Sequence, residues 1–274
     1  MPATNSLRTM IDHRQPTAHS VQFGVGEDWL QGRTCYGGLI SALAVIAMRD
    51  RVGADWPADM GLRALQTSFV GPVSPGPMSI AVQALRQGRN VCQVMAQVRQ
   101  ADAVAAVLLG VFSADRESSL QPRVPQRPPP RREAEHLPAP PDRPAGAPVF
   151  LQHFDMRWAD GPPPYTGGEG WTTSIHMRLK PAEAAALGSE TQLLLLADLS
   201  PTPVIGQLRR PAANSSVSWA LELRPVPPGP PDGWWRADNE SLMVAGGYVN
   251  HAARLWAPSG HLAAFGSQVV AVFA

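Results

Sequence analysis

The sequence carries little charge and no excess of either sign. Charged residues make up 16% of its 274 residues, and 23 lysine and arginine side chains against 22 aspartate and glutamate side chains leave a formal net charge of +1. Binding a nucleic acid by bulk electrostatics needs a basic surplus that neutralises phosphates. We therefore expect no nucleic acid among the partners of this chain.

Cysteines and long apolar runs are also scarce. Cys35 and Cys92 are the only cysteines, so they form one disulfide at most, and we expect both to be reduced. No apolar run approaches the roughly 18 residues of a membrane-spanning helix. Residues 1–22 contain no apolar block typical of a signal peptide. These absences predict a cytoplasmic protein without a membrane partner.

The histidines form no recognisable metal or catalytic pattern. No pair has the spacing that places two imidazoles on one face of a helix, so we expect no bound metal. His153 and His176 lie on predicted strands, and His251 follows a predicted hairpin turn. We interpret each as a surface or hydrogen-bonded strand histidine. A P-loop, a complete dinucleotide fingerprint and a G-x-S-x-G motif are also absent from the sequence.

Proline is abundant and is concentrated in one segment. Ten of the residues in 122–148 are prolines. Because proline has no backbone N–H for a sheet or a helix interior, this segment predicts an extended linker. It divides the chain into residues 1–115 and 149–274, joined by a linker at 116–148.

The two parts contain similar elements. Gly37–Val52 is apolar almost all round, which is typical of a helix buried on most faces, and residues 190–198 predict a shorter buried helix. Residues 72–77 (PVSPGP) and 225–230 (PVPPGP) differ at one position in six. We interpret the chain as a duplicated α+β unit, in which each copy is one helix wrapped by an antiparallel sheet. The predicted strands are 62–73, 78–86, 91–99, 103–113, 150–158, 171–179, 215–224, 234–244, 248–256 and 262–273.

Residues that are polar in one copy and apolar in the other are not required by the fold. Gln268 matches Val107, and Asp198 ends the second helix where the first stays apolar through Met48. Asp198 is therefore either the exposed end of a turn or a buried base. An acid at a helix C-terminus is unfavourable without compensation, which slightly favours the buried base.

The whole chain, except for the linker, resembles the acyl-CoA thioesterase II family. These are double-hotdog enzymes, in which two hotdog repeats are fused in one polypeptide. The motifs that carry the resemblance are 36–40 (YGGLI), 68–73 (SFVGPV), 86–90 (RQGRN), 197–199 (ADL), 223–225 (LRP) and 262–268 (LAAFGSQ).

The resemblance implies a set of site residues. Family members hold the attacking water with an aspartate, a threonine or serine, and a glutamine, and the aspartate and glutamine fall on Asp198 and Gln268. The hydroxyl falls on Ser215 when the strand is matched without a gap. One deletion in the match gives Ser216, which we prefer, and places Ser218 where the family often has an acid.

The start of the first hotdog helix is the expected substrate-binding region. Backbone N–H groups at a helix start can stabilise an oxyanion, and Gly37 and Gly38 permit close approach of the substrate. Tyr36 either lines the acyl channel or packs in the core.

The resemblance implies a thioesterase that hydrolyses acyl-CoA with water alone, without a metal or an organic cofactor. It also implies a homo-oligomer, a dimer or larger. The alternative is a non-catalytic acyl-CoA-binding double-hotdog protein, which the serine at position 218 favours. A hotdog dehydratase would need a histidine on a central helix, and neither predicted helix contains one.

Overall fold

The computed structural model of the chain describes residues 7–130, 132–138, 147–185, 187–227, 229–230 and 232–274. The α-helices are α1 (Leu7–Asp12), α2 (Gly37–Val52), α3 (Pro181–Ala184) and α4 (Ser189–Ala197). The strands are β1 (Gln15–Pro16), β2 (Ser20–Val25), β3 (Leu30–Gln31), β4 (Thr34–Cys35), β5 (Gly61–Phe69), β6 (Gly76–Gln87), β7 (Val91–Gln100), β8 (Ala103–Ser113), β9 (Phe154–Asp160), β10 (Thr172–Leu179), β11 (Ala213–Leu223), β12 (Trp235–Ala245), β13 (Tyr248–Trp256) and β14 (Leu262–Phe273). Short 3₁₀ helices occur at Glu27–Trp29, Ala134–His136, Val149–His153 and Pro203–Gln207.

One antiparallel sheet of twelve strands joins the two halves of the chain. Its order is β1-β2-β6-β7-β8-β5-β11-β14-β13-β12-β10-β9, so six strands come from each half. The halves meet where β5 pairs with β11, with Trp219 opposite Thr67. Each strand of this central pair therefore has hydrogen-bonded neighbours on both sides.

The two central helices, α2 and α4, lie against each other inside the sheet. The four leucines of α4, Leu193 to Leu196, are 6%, 1%, 0% and 1% exposed, so protein encloses this helix on all faces after its first turn. Both helices belong to one hydrophobic core that also contains strand residues from both halves. This enclosure explains why neither helix has a polar stripe, since nearly every face buries apolar area.

The helices are fixed to each other at both ends. At the C-terminal end of α2, Arg49 forms a two-pronged ion pair with Glu190 at the start of α4, with both N–O distances 2.7 Å. Glu190 also accepts the backbone N–H of Leu62 on β5 at 3.1 Å. The helices are thus antiparallel, and the start of α2 lies beside the end of α4.

The double-hotdog fold class predicted from the sequence is confirmed. The predicted bounds of α2, β8, β13 and β14 match the structure. Three local predictions were wrong. The strand at 62–73 ends at Phe69, and the strand at 150–158 begins only at Phe154, after a 3₁₀ helix. The helix α4 ends at Ala197, one residue before Asp198. The sheet is also continuous, because the edge strands of the two repeats pair with each other.

The proline-rich linker lies against the second half of the chain. Gln126 forms a bridge with His261, and the Arg236 guanidinium donates to the carbonyl of Pro128 at 2.8 Å. Arg157 donates to the carbonyls of Ala134 and Leu137 at 2.6 and 3.1 Å. Residues 131 and 139–146 of the predicted linker lie outside the described residues.

Candidate active site

Asp198 lies where α4 ends and α2 begins. It occupies the C-terminal cap of α4. The Gln268 amide donates from Nε2 to Asp198 Oδ1 at 2.6 Å, and the backbone N–H of Gly38 also donates to this carboxylate. A Cβ atom at Gly37 would lie only 2.8 Å from Asp198 Oδ2. The glycine is therefore what lets the start of α2 approach the carboxylate this closely.

Burial shifts the acidity of this carboxylate. Asp198 as a residue is partly exposed, but its carboxylate is enclosed by the start of α2 and by Gln268. Desolvation raises the pKa of Asp198 to about 7, against the opposing effect of the hydrogen bonds from Gln268 and Gly38. The Phe69 ring, whose Cζ atom is 3.0 Å from the position of a Gly37 Cβ, supplies an apolar wall nearby. A carboxylate of this pKa can accept a proton near neutral pH.

Gln268 lies on β14 and connects the carboxylate to the neighbouring strand. It pairs directly with Trp219 of β11, so its side chain shares the buried face of the sheet. Its Oε1 atom accepts a long hydrogen bond from Ser216 Oγ at 3.4 Å, while its Nε2 donates to Asp198. The structure thus brings Ser216, Gln268 and Asp198 into one hydrogen-bonded chain.

A β-bulge decides which serine faces Gln268. The pairing of β11 with β14 shifts between Ser216 and Ser218, so that Val217 is an extra residue in its strand. Strict alternation back from Trp219 would place Ser215 on the buried face and Ser216 on the other. The bulge reverses this order: Ser216 pairs with Val270 on the Gln268 face, and the exposed Ser215 hydroxyl donates to the backbone instead.

Ser218 lies on the opposite face of the sheet. It pairs with Val269 on one side and with Ser68 on the other, and the residues that flank it in these pairings, Trp219 and Gln268, are on the buried face. An acid at this position would therefore not face Asp198.

The side chain of Tyr36 contacts protein on all sides. It is 1% exposed and stacks on Phe150 with ring centroids 4.1 Å apart. Its hydroxyl donates to the carbonyl of Leu195 at 2.5 Å, three residues before Asp198. Burial raises the pKa of Tyr36 well above its ordinary value, so the phenol keeps its proton and stays a donor. Gly38 is required beside it, because a Cβ there would lie 2.6 Å from Tyr36 Cζ.

Sequence reasoning did not place His251 at the site. The structure pairs it directly with Gln268 across β13 and β14, and it is 4% exposed. His153 and His176 are also buried, at 5% and 1% exposed, so the surface alternative was wrong for all three histidines. Alternation along β13 was the available signal, since it places His251 on the face of the apolar Val249.

A shallow cleft of about 440 Å³ lies over the centre of the sheet. Its lining includes solvent-facing side chains such as Gln66, Leu109 and Ala220, together with Gln268 and His251. Because Gln66 and Ala220 pair with each other on the face opposite Trp219, the cleft opens mainly away from Asp198.

Within the part of the chain that the structure describes, no group of histidine, cysteine, aspartate and glutamate residues could hold a metal ion. Nor is any helix of that part long and apolar enough to span a membrane.

Models of two protein families match most of the chain. Residues 25–113 match the N-terminal domain of acyl-CoA thioesterase, and residues 128–272 match its C-terminal domain. The chain belongs to the acyl-CoA thioesterase family. A search of curated proteins found no match.

Solved structures with the same fold cover nearly the whole chain. A hotdog-fold protein of unknown function from Alicyclobacillus acidocaldarius is 20% identical, with a TM-score of 0.78 and coverage of 97% of this chain and 98% of the other. A candidate thioesterase II from Thermobifida fusca is 17% identical, with a TM-score of 0.79 and 98% coverage of both chains. An acyl-CoA thioesterase II from Mycobacterium marinum is 15% identical, with a TM-score of 0.69 and 97% coverage of both. At these identities the likeness establishes the fold alone.

Proposed function

We propose that this protein hydrolyses acyl-CoA thioesters to a free acid and CoA, with Asp198 as the general base that activates water. The observation that carries the proposal is the hydrogen-bonded chain from Ser216 through Gln268 to a carboxylate whose pKa is raised to about 7. Membership of the acyl-CoA thioesterase family supports the substrate class.

The proposed reaction uses water as the nucleophile. Asp198 takes one proton from the water while the water oxygen bonds to the thioester carbonyl carbon, which gives a tetrahedral oxyanion. The oxyanion then collapses, the carbon–sulfur bond breaks, and the CoA thiolate takes the proton held by Asp198. The carboxylate is regenerated, and the balance requires only the thioester and one water.

Gln268 and Ser216 orient the water in this proposal. The amide is already fixed in direction, since Nε2 donates to the carboxylate and Oε1 accepts from Ser216. A covalent route through Ser216 lacks support, because its hydroxyl contacts an amide oxygen, which is a poor base. Mass spectrometry of enzyme quenched during turnover should therefore find no acyl adduct, and an acylated Ser216 peptide would overturn this mechanism.

The first two residues of α2, Gly37 and Gly38, have different roles in the proposal. The backbone N–H of Gly38 is bonded to Asp198, so we assign the oxyanion to the neighbouring Gly37 N–H. Substrate binding by Tyr36 stays a prediction from the resemblance. Its contacts with Leu195 and Phe150 support a positioning role, in which its hydroxyl holds the last turn of α4 and hence Asp198.

The function is tested by assaying hydrolysis of a panel of acyl-CoA esters, with release of the free CoA thiol as the readout. Asp198→Asn should lower turnover roughly 10² to 10⁴-fold, the usual contribution of a general base. Asp115→Asn is the matched control, since this exposed aspartate pairs with Arg63 at the protein surface. Full activity of Asp198→Asn would refute the assignment of Asp198 as the general base. Saturable acyl-CoA binding without any CoA release would favour the non-catalytic alternative.

We further propose that the protein assembles as a homo-oligomer, with residues 1–115 and 149–274 as its two repeats and 116–148 as the linker. Large apolar side chains on β12 and its neighbours support association, since Leu242 and Met243 are each 59% exposed and Tyr248 is 53% exposed. Light scattering on the purified chain should give a mass of at least two copies, and a monomer at micromolar concentration would refute this.

A further inference from the structure

His251 lies next to Gln268 on the neighbouring strand, and the mechanism above assigns it no role. It pairs directly with Gln268 across two antiparallel strands, which brings the Cβ atoms of such a pair to about 5 Å. Both residues lie on the buried face of the sheet. His251 is therefore a direct neighbour of the Gln268 side chain, whose amide donates to Asp198.

The hydrogen bonds of Asn239 fix the form of the His251 ring. The Asn239 amide donates from Nδ2 to the carbonyl of Ala237 and to Thr173 Oγ1, at 3.5 and 3.2 Å. Because a carbonyl oxygen only accepts, this orientation leaves Asn239 Oδ1 facing His251 Nε2 at 3.3 Å. The proton of a neutral ring therefore resides on Nε2, and Nδ1 carries the free lone pair.

That lone pair has no partner. Burial lowers the pKa of His251 to about 4, so the ring is neutral at physiological pH. Nδ1 is buried and accepts no hydrogen bond from any residue that the structure describes. A buried acceptor left without a donor costs stability, and such groups in native proteins are ordinarily matched by a ligand or an ordered water.

We propose that His251 Nδ1 is a specificity-determining acceptor, which receives a hydrogen bond from an O–H or N–H group that the substrate carries a few bonds from its thioester carbonyl. The inference rests on the proposed function for the position of that carbonyl, beside Asp198 and Gln268. Two parts of an acyl-CoA can supply such a donor. One is a hydroxyl near the carbonyl of the acyl chain, and the other is the amide N–H of the pantetheine arm nearest to the sulfur.

Paired substrates distinguish the two sources. 3-Hydroxybutanoyl-CoA against butanoyl-CoA tests the acyl hydroxyl. The butanoyl thioester of N-acetylcysteamine against that of butanethiol tests the amide. The variant is His251→Gln, whose longer side chain can still reach Asn239 but has no acceptor at the Nδ1 position. His251→Asn, whose shorter amide places an acceptor near Nδ1, is the conservative rescue.

A second buried histidine provides the matched control. His176 on β10 is 1% exposed, its Nε2 contacts the carbonyl of Arg132 at 3.1 Å, and its Nδ1 is also unpartnered among the described residues. It lies on a different strand, opposite Arg236 and Arg157, and pairs with neither Gln268 nor Ser216. His176→Gln therefore reproduces the loss of a buried imidazole away from the site.

We expect His251→Gln to lower kcat/KM about tenfold for the member of one pair that carries the donor, which is the size of one buried hydrogen bond. The member without the donor should change less than about twofold, and His251→Asn should restore most of the ratio. An equal loss for both members of each pair, or the same loss in His176→Gln, would mean a structural role and would overturn the inference. Unchanged ratios in both pairs would also overturn it.

Failure of the proposed function gives a different result. If wild-type protein releases no CoA from any ester, Asp198 has lost its assigned role. The same ratios are then measured as Kd values of the intact thioesters for wild type and His251→Gln by calorimetry. A His251-dependent ratio would support the inference without catalysis, and a ratio independent of His251 would refute it.

Discussion

Replacing Asp198 by asparagine should make the protein more stable at alkaline pH while it abolishes most activity. In the folded protein desolvation holds the pKa of this carboxyl at about 7, against an ordinary value of 3.8. Between these two pKa values the folded state binds more protons than the unfolded state. The stability that this proton binding contributes is therefore fully present below pH 3.8 and is lost as the pH rises through about 7.

The magnitude follows from the two pKa values. Between pH 5 and pH 8, linkage to Asp198 alone lowers the free energy of unfolding by about 2.5 kcal/mol. This value is an upper limit, because the residue is partly exposed. The asparagine side chain of the variant does not titrate, so the stability curve of the variant should lack this component. Its absolute stability is offset by roughly 1 kcal/mol, since an amide presents one acceptor oxygen to the two donors Gln268 and Gly38.

Urea unfolding of wild type and Asp198→Asn at pH 5 and pH 8 measures this difference. From pH 5 to pH 8, the free energy of unfolding of the variant should rise by up to about 2.5 kcal/mol relative to that of wild type. The m-value should stay the same. The free energy of unfolding of Asp115→Asn should change between pH 5 and pH 8 as that of wild type does. If the variant and wild type respond identically to pH, the carboxylate is not desolvated in the folded protein, and the reasoning about its role as a base near pH 7 fails with it.

The other predictions concern residues around this carboxylate. The kcat/KM profile of wild type should fall about tenfold per pH unit below about pH 7, and a flat profile down to pH 5 would contradict a base of that pKa. Ser216→Ala should lower kcat while leaving acyl-CoA binding intact, and Ser215→Ala should be nearly wild type; the reverse order would move the role one residue back. Gly37→Ala should reduce kcat roughly tenfold or more, because its Cβ would meet Asp198 Oδ2, and a fully active variant would show that the carboxylate is free to move. Tyr36→Phe should lower kcat several-fold and shift the acidic limb of the pH profile while KM stays constant; an unchanged profile would mean that its hydroxyl only stabilises the core.

The sequence by itself determined the duplicated architecture. A helix that is apolar all round can only be buried, and this constraint fixed α2 to the residue and α4 to within one residue. The repeated PVxPGP turns and the alternating strands then predicted an antiparallel sheet around each helix, and the pairing of β5 with β11 joins the two sheets into one. Comparison of the copies also singled out Asp198 and Gln268, since a polar residue in a position that the other copy fills with an apolar one is not there for packing.

Only the tertiary structure decided which neighbouring groups act together. Strict alternation in β11 favours Ser215, and the bulge at Val217, which depends on pairing with β14, turns Ser216 to the buried face instead. The raised pKa of Asp198 and the position of His251 beside Gln268 are likewise products of long-range contacts. Local sequence encodes periodicity, whereas strand register, desolvation and the partner of each polar atom arise from segments that are far apart in the chain and become neighbours only on folding.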